Sequence, residues 1–404
     1  PAARVAPAAA PAPAAPAAPA APATPATPPR ALPLASGSAG GEREVQLEPR
    51  PFAALRDELD ELSVEWFALG RPGARGPLEE EPLLRLQRLV GRFTSVLELA
   101  QDEFSGVWRP ADGGSLKLLC KDPSRLLGRR IRACAGAVAV SATLEPLPFY
   151  RDVLGFPPDA ALVRLGSPFD RRRRKVLVLH RPSTHYHERA RDLPIVEDAV
   201  RAVVAARRGN YLVCCPSFQY LEMLAERLQL VPGFEVLSQA RSMNEARRAE
   251  ALERLARAAA GEAPPVLLLA VQGGIFTEGV DYPGELCVGA IVIGPGLPQV
   301  EFERELMQRY YEAKYGPGRG FEYAYLFPGM SRVVQAAGRV IRTASDRGVV
   351  ALVGNRFATP RYSELFPRDW YEKHPRELIT TDPYGELCRF WGEAVPEAGS
   401  APGG

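Results

Sequence analysis

Gln335, Arg339 and Arg342 are polar side chains separated by four and three residues in one short stretch. If 333–343 is a helix, these side chains project from one face, and the apolar residues between them pack the other face down. Arginines held on a packed helix are suited to stabilising the charge on a phosphoryl group during its transfer. A salt-bridged surface helix would show the same spacing, so this stretch alone leaves both interpretations open.

A second group of candidate residues follows the apolar run 266–270, which predicts a buried strand. The residues are Gly273, Gly274, Thr277, Glu278, Gly279 and Asp281. Glycines let backbone amides approach a phosphate, and the carboxylates could orient water or an arginine. A structural loop is the alternative, but the density of polar groups favours a functional one.

Small hydroxyl residues follow two further predicted strands. Ser141 and Thr143 come directly after the run 137–140, and Ser217 follows the run 211–215. The carboxyl ends of strands are where open α/β sheets bind ligands. A helix N-cap after a strand would use the same residue types, so each serine or threonine alone is weak support for a site.

Strands and helices alternate from residue 176 to residue 365, which predicts a right-handed, mostly parallel, doubly wound sheet of about six strands. We expect Ser217, the 273–284 loop and the arginine helix to converge at the carboxyl ends of these strands. Upstream, the periodicity of 50–69 and 78–103 predicts a pair of amphipathic helices. The runs 116–120 and 137–140, with a short helix between them, predict a first βαβ-like unit. Ser242 and Glu245 have the spacing of a capping box that starts a helix.

Composition limits the classes of function. Of the 404 residues, 46% are hydrophobic and the 50 basic residues nearly balance the 48 acidic ones, so no global charge attracts nucleic acid. The basic run 171–175 is typical of a solvated face, with nucleic-acid contact as the alternative. His185 and His187 lack a third ligand nearby, so no metal site is predicted there. The six cysteines show no CxxC spacing and indicate a reduced, cytoplasmic protein. No run is long enough to span a membrane, and a chain that starts at Pro1 is compatible with a piece of a longer protein.

The motifs together resemble those of a known family. The pattern Gln335-x-x-Gly338-Arg339-x-x-Arg342 resembles motif VI of superfamily 2 helicases, and the 273–284 loop resembles motif V of the XPD/DinG-like DNA helicases. Ser141-Ala-Thr143 is similar to motif III, and the stretch 215–218 is similar to motif IV. The resemblance covers about residues 80–370.

The resemblance implies a domain organisation. Residues 151–385 would be the second RecA-like motor domain, the helicase C-terminal domain with motifs IV to VI. Residues 42–150 would hold the end of a helical arch insertion and the trailing part of the first RecA-like domain, including motif III. From composition, 1–41 is an Ala/Pro-rich disordered linker and 386–404 is a C-terminal tail.

Roles for individual residues are also implied by the resemblance. Arg339 and Arg342 would act as arginine fingers and Gln335 would contact the phosphate end of the nucleotide. The implied cofactor-binding residues are Gly273, Gly274, Glu278, Gly279, Asp281, Gly338 and Asp346. The implied nucleic-acid contacts are Ser217, Thr277, Ser141 and Thr143. Members of the family use ATP and Mg²⁺ to translocate on single-stranded DNA, typically 5′ to 3′.

The chain also departs from the family pattern. The phosphate-loop sequence G-x-x-x-x-G-K-[ST] is absent from it, as is Asp-Glu-Ala-His. We therefore expect ATP and Mg²⁺ to be bound mainly by a missing first motor domain, in cis or in trans, and we predict no iron–sulphur cluster in this chain. Positioning supplies most of the catalysis of phosphoryl transfer, so the chain alone is predicted not to hydrolyse ATP. The alternative is a catalytically silent module that binds single-stranded nucleic acid or a partner.

Overall fold

The computed structural model describes residues 41–392, except 72, 74–76, 111, 112 and 230. The linker predicted at 1–41 therefore lies outside the described residues, apart from Gly41. Residues 393–404 of the predicted tail lie outside them as well.

The N-terminal part combines a helical hairpin with a small antiparallel sheet. Strands β1 (Arg43–Val45), β2 (Phe104–Arg109) and β3 (Ser115–Cys120) pair in that order. Helices α1 (Pro49–Ala68) and α2 (Pro82–Leu99) pack against each other, as predicted. Helices α3 (Ser124–Arg132) and α4 (Leu147–Leu154) follow.

The βαβ-like unit predicted before residue 141 is wrong. The strand β3 pairs antiparallel with β2, and residues 137–140 form no strand. Val138 and Val140 are each 87% exposed. An apolar run becomes a strand only when a neighbouring strand accepts its backbone hydrogen bonds, and the part of the chain that the structure describes places none beside it.

The predicted doubly wound sheet is confirmed, with six parallel strands. They are β4 (Arg174–Leu179), β5 (Tyr211–Cys215), β6 (Glu235–Ser238), β7 (Val266–Val271), β8 (Gly289–Ile293) and β9 (Gly348–Val353). Their order across the sheet is β4-β9-β8-β5-β7-β6. The sequence interpretation did not single out β6, because its four residues mix polar and apolar types and give no continuous apolar run.

Helices cover both faces of this sheet, so the central strands β5, β8 and β9 are buried throughout. One face packs against α5 (Arg189–Ala205), α6 (Phe218–Leu228) and α12 (Pro383–Gly392). The other packs against α7 (Glu245–Ala259), α8 (Phe302–Tyr315) and the continuous helical stretch 319–337. That stretch consists of α9 (Arg319–Phe321), a π-helical segment (Glu322–Leu326) and α10 (Phe327–Ala337). A short helix, α11 (Pro360–Ser363), follows β9.

Three further boundaries differ from those predicted. The helix expected over 333–343 ends at Ala337, so both arginines lie on the irregular segment 338–347, here called the arginine segment. Helix α7 is capped by Asn244 rather than Ser242, because the Asn244 side chain accepts a hydrogen bond from the Arg247 amide at 3.0 Å. The domain boundary predicted at 385 falls inside α12, whose Leu387 is fully buried on the sheet.

Candidate nucleotide and nucleic-acid site

The 272–284 loop connects the carboxyl end of β7 to the amino end of β8, so it passes from one edge of the parallel sheet to the other. Its first glycines lie at the carboxyl-terminal edge. Its last residues lie at the amino-terminal edge, where the arginine segment leads into β9. Both arginines contact this loop, as expected, through its residues 277–281, but the end of the arginine segment lies at the amino-terminal edge rather than at the carboxyl ends of the strands.

Arg339 is held against the middle of the loop. Its Nε donates to the Thr277 carbonyl at 3.0 Å and its Nη1 donates to the Val280 carbonyl at 2.7 Å. The side chain is 13% exposed. Burial lowers the pKa of Arg339, and the nearby charge of Arg342 lowers it further. An arginine nevertheless stays protonated at neutral pH, so a cation is fixed against the loop.

Arg342 is more loosely held. Its Nη2 lies 3.0 Å from Oδ1 of Asp281, while the Arg342 side chain is 33% exposed and that of Asp281 is 75% exposed. Nη1 of Arg339 lies 3.6 Å from the same carboxylate oxygen. Two guanidinium groups therefore face one exposed carboxylate, and this is the arrangement expected of cations that bind an anion.

Asp346 holds the arginine segment in place through hydrogen bonds. This buried carboxylate accepts hydrogen bonds from the amides of Arg342 (2.7 Å) and Thr343 (2.8 Å) and from the Thr343 hydroxyl (2.6 Å). It also accepts one from the Gly284 amide at 3.2 Å, which ties the segment to the end of the loop. All these contacts are internal, so Asp346 is a positioning residue, and the expectation of a direct cofactor contact is corrected.

The remaining residues predicted to bind the nucleotide lie at the end of α10 and on the 272–284 loop. Gln335 is half-buried on the last turn of α10. Gly338 ends that helix, with its amide donating to the Val334 carbonyl at 2.9 Å. Glu278 and Gly279 are exposed on the loop, and Gly279 has φ +72, which favours glycine.

At the carboxyl-terminal edge, the loop starts with a tight turn. Gly273 has φ +76, and the Gly274 amide donates to the Val271 carbonyl at 2.9 Å. Thr277 is only 1% exposed, and its hydroxyl donates to the Val271 carbonyl while accepting from the Gly274 amide. The hydroxyl thus stabilises the turn, which contradicts the prediction that Thr277 contacts a nucleic-acid strand.

The other predicted nucleic-acid contacts have different surroundings. Ser217 is half-buried directly after β5 and caps α6, accepting from the Tyr220 amide at 3.2 Å. Ser141 and Thr143 hydrogen-bond to each other at 3.3 Å in an irregular segment rather than at the end of a strand. Of the predicted hydroxyl contacts, Ser217 is therefore the one that lies at the end of a sheet strand.

Sequence reasoning missed one residue at this edge. Arg332 donates from Nη1 to the Gly296 carbonyl at 3.3 Å. A Cβ on Gly273 would lie 3.1 Å from its Nε, so the glycine makes room for the guanidinium. Arg332 lies on α10, seven residues before Arg339 in the sequence, a spacing that could have marked it as a third cation.

Within 41–392 and its gaps, no three His, Cys, Asp or Glu side chains are grouped so that they could hold a metal ion. Among the helices that the structure describes, none is both long and apolar enough to cross a membrane.

Comparisons with known proteins agree with this architecture. Residues 200–373 match the helicase C-terminal domain family. The ATP-dependent DNA helicase YoaA of Escherichia coli is 29% identical over 235 residues, which cover 57% of this chain and 34% of YoaA. The chain spans about a third of the length of the curated relatives it matches.

Solved structures show the same fold at low sequence identity. An apo XPD structure matches with a TM-score of 0.52 and 16% identity, covering 81% of this chain and 63% of that one. Xpd4 of S. tokodaii matches with a TM-score of 0.50 and 16% identity, covering 80% of this chain and 59% of that one. Residues 200–373 thus belong to the helicase C-terminal domain family, and the helicase relatives and the fold support the C-terminal half of an XPD/DinG-like helicase.

Proposed function

We propose that this chain supplies the second motor domain of an ATP-dependent DNA helicase. Arg339 and Arg342 act as arginine fingers on a nucleotide that is held mainly by a first motor domain, in cis or in trans. The observation that carries this proposal is the convergence of both guanidinium groups on exposed Asp281 at one edge of the sheet.

The chemistry of that edge suits a triphosphate. Fixed guanidinium groups stabilise charge that develops on a transferring phosphoryl group, and they need no reorganisation when they are already held in place. Arg339 is held by two backbone carbonyls. Arg342 is held by an exposed carboxylate, so an incoming phosphate can replace Asp281 as its partner.

Single-stranded DNA binds, in this proposal, at the opposite edge, beside Ser217 and Gly273. The 272–284 loop joins the two edges, and Arg339 donates to carbonyls in its middle. When a phosphate replaces Asp281 as the partner of Arg342, it therefore changes a contact of the same loop that reaches the DNA edge at its other end. This gives a physical connection between the nucleotide and the strand, with Glu278 and Asp281 on its exposed side.

ATP and Mg²⁺ are placed by the proposal mainly on the first motor domain. The groups that this chain offers to the phosphates are arginines and backbone amides, and the phosphate-loop sequence is absent from its 404 residues. Mg²⁺ would supply neutralisation of the charge on the phosphates. The predictions of a cytoplasmic location and of 5′ to 3′ translocation remain part of the proposal.

Reconstitution tests the proposal. The chain is mixed with a separately purified phosphate-loop motor domain of an XPD/DinG-like helicase, and ATP turnover is measured with and without single-stranded DNA. We expect no turnover by the chain alone, DNA-stimulated turnover by the mixture, and a loss of about 10³-fold or more with Arg342→Ala. Arg389→Ala, an exposed arginine on α12, is the matched control.

Two outcomes would overturn the proposal. One is robust turnover by the chain alone, and the other is turnover by the mixture that Arg342→Ala leaves unchanged. Salt-sensitive DNA binding that ignores both ATP and the added domain would instead favour the silent nucleic-acid-binding module.

A further inference from the structure

Residues that follow three strands at the carboxyl-terminal edge of the sheet form two pairs, each of an aromatic ring and an arginine lying over it. After β4, the guanidinium carbon of Arg189 lies 4.1 Å from the centre of the Tyr186 ring. After β5 and β6, the guanidinium carbon of Arg241 lies 4.9 Å from the centre of the Phe218 ring. Phe218 directly follows Ser217, so both pairs flank the first turn of α6.

The two pairs belong to one surface. Arg189 donates from Nη2 to Oε1 of Gln219 at 2.8 Å, so the arginine that stacks on Tyr186 is also bound to the first turn of α6. Arg241 lies 3.5 Å from Glu222, one turn further along the same helix. We call the surface formed by Tyr186, Arg189, Phe218 and Arg241 the stacking surface.

Tyr186 is open to solvent although its loop is well anchored. The side chain is 68% exposed, and one edge contact with the His187 ring, at 5.4 Å between centres, supports it. The loop before it is held by Ser183, whose amide donates to buried Asp192 at 2.7 Å and whose hydroxyl donates to Glu188 at 2.5 Å. A large exposed ring on a fixed loop has an accessible face at little further cost in conformational entropy.

Surfaces of this composition suit one class of ligand. Proteins bind single-stranded nucleic acid by combining cations that follow the backbone with flat groups on which successive bases stack. Both aromatic rings and guanidinium planes serve as stacking partners for bases. The stacking surface offers both groups twice, on either side of Ser217.

We propose that Tyr186, together with the Phe218–Arg241 pair, stacks the bases of single-stranded nucleic acid at this edge. The proposal rests on the proposed function, since it assumes that a strand passes Ser217. It adds that the bases, and not only the phosphates, are recognised there. The sequence drew attention to the basic run 171–175 and to His185 and His187. The proposed contact is instead made by Tyr186, the residue between the two histidines.

The experiment compares the full chain on two strands of equal length and charge. One is oligo(dT) and the other carries abasic residues at internal positions. We expect the chain to bind the abasic strand about tenfold more weakly or worse. Tyr186→Ala should weaken binding to oligo(dT) by a similar factor while leaving binding to the abasic strand unchanged, and Tyr186→Phe should bind like the wild type.

Controls separate stacking from folding and from charge. Tyr384→Ala removes a tyrosine that is 51% exposed on α12 and should change neither affinity. Phe218→Leu keeps an apolar side chain on α6 and should lower only the affinity for strands with bases. Far-UV circular dichroism checks that each variant is folded.

The outcomes distinguish the two proposals. If the wild type binds both strands equally and Tyr186→Ala changes neither affinity, the stacking surface is overturned while the DNA-binding motor half stands. If the wild type binds no strand, the proposed function fails at its DNA-binding step, and the stacking surface fails with it.

Discussion

At the scale of single residues, Arg339 and Arg342 are held in different ways, and stability measurements can separate them. Arg339 makes two hydrogen bonds to backbone carbonyls and is 13% exposed. We expect Arg339→Ala to lower the free energy of unfolding by about 2–3 kcal/mol, because hydrogen bonds from a charged group are lost. Arg342→Ala should cost less than about 1 kcal/mol, since its partner is exposed. Urea unfolding followed by circular dichroism measures both.

Arg339→Lys provides the matched control for this prediction. A lysine keeps the positive charge, but its single ammonium lacks the rigid fork that reaches the Thr277 and Val280 carbonyls together. Arg339→Lys should therefore resemble Arg339→Ala in stability. Equal losses for the alanine variants at 339 and 342 would contradict the distinction between a buried and a loosely held arginine.

Asp346 makes the stability of the same site depend on pH. Burial alone would raise the pKa of Asp346, but hydrogen bonds from Thr343, Arg342 and Gly284 outweigh burial and hold it below its ordinary value. A depressed pKa gives stability that is present above the unfolded-state value of about 3.9 and is lost as the pH falls through the folded-state value.

We expect Asp346→Asn to be about 1–3 kcal/mol less stable than the wild type at pH 7, and the difference to shrink as the pH falls below about 4. Chemical unfolding across this pH range measures the difference. Asp198→Asn, which replaces an exposed carboxylate on α5, serves as the control. A difference that stays constant to pH 3 would show that the charge of Asp346 is not what holds the arginine segment.

At the scale of elements, the start of α7 tests how capping works in this chain. The Ser242 and Glu245 spacing predicted a capping box, but Asn244 makes the capping bond, one residue before the helix. Asn244→Ala should therefore cost about 1 kcal/mol of unfolding free energy, and Ser242→Ala should stay within about 0.5 kcal/mol. The reverse order, measured by urea unfolding, would restore the sequence-based assignment.

Much of the fold was predictable because most strands of the parallel sheet are buried on both faces. Parallel strands covered on both faces have continuous apolar runs, as 266–270 and 349–353 do. Residues 137–140 have the same composition, but a strand also needs a neighbour, and composition does not report one. Short β6 lacked the apolar signal altogether.

The candidate site was predictable in its residues and less so in its geometry. Four-and-three spacing placed both arginines on one helix face, yet the helix ends at Ala337, where Gly338 follows. Asp346, three residues past Thr343, holds the following segment through contacts that a helical pattern does not encode. Spacing thus found the right residues and assigned them to the wrong element.

Helix α12 packs on the six-stranded sheet, so the domain built on that sheet includes residues past the predicted boundary at 385. Leu387 is fully buried and Phe390 is nearly so, both against the face of the sheet that α5 covers. We expect Leu387→Ala to cost about 2–5 kcal/mol, since it leaves a cavity in a packed core. Arg389→Ala, at an exposed position of the same helix, should be nearly neutral in the same thermal or urea unfolding experiment. If Leu387→Ala left the free energy of unfolding unchanged, α12 would not be part of the packed domain.

At the scale of the whole molecule, α8 joins the N-terminal sheet to the motor domain. Glu303 at its start pairs with Arg109 of β2 at 2.6 Å and with Lys117 of β3 at 2.8 Å. The Tyr311 hydroxyl donates to the Lys121 carbonyl at 2.9 Å. Residues on either side of position 150 are therefore linked by specific polar contacts, and the described part from 41 to 392 lies within one compact unit.

The ion pair between Asp122 and Lys314 is a further link of this kind, and one of its two partners is fully buried. Nζ of Lys314 lies 2.5 Å from Oδ2 of Asp122, which is fully buried, while the Lys314 side chain is 35% exposed. Burial alone would lower the pKa of Lys314, but the bond to Asp122 outweighs it and raises that pKa above its ordinary value. If one partner is removed, water can therefore solvate Lys314 more easily than Asp122.

Removing either partner should have unequal effects on the unfolding free energy. Lys314→Ala leaves the carboxylate of Asp122 buried without a counter-charge, so we expect a loss of about 3–5 kcal/mol. Asp122→Ala leaves an ammonium that can turn toward water, so we expect a smaller loss of about 1–3 kcal/mol. The double variant should be less destabilised than the sum of the two, because the charge left by one change is removed by the other. Equal single losses with strict additivity would mean that the pair does not link the N-terminal sheet to α8.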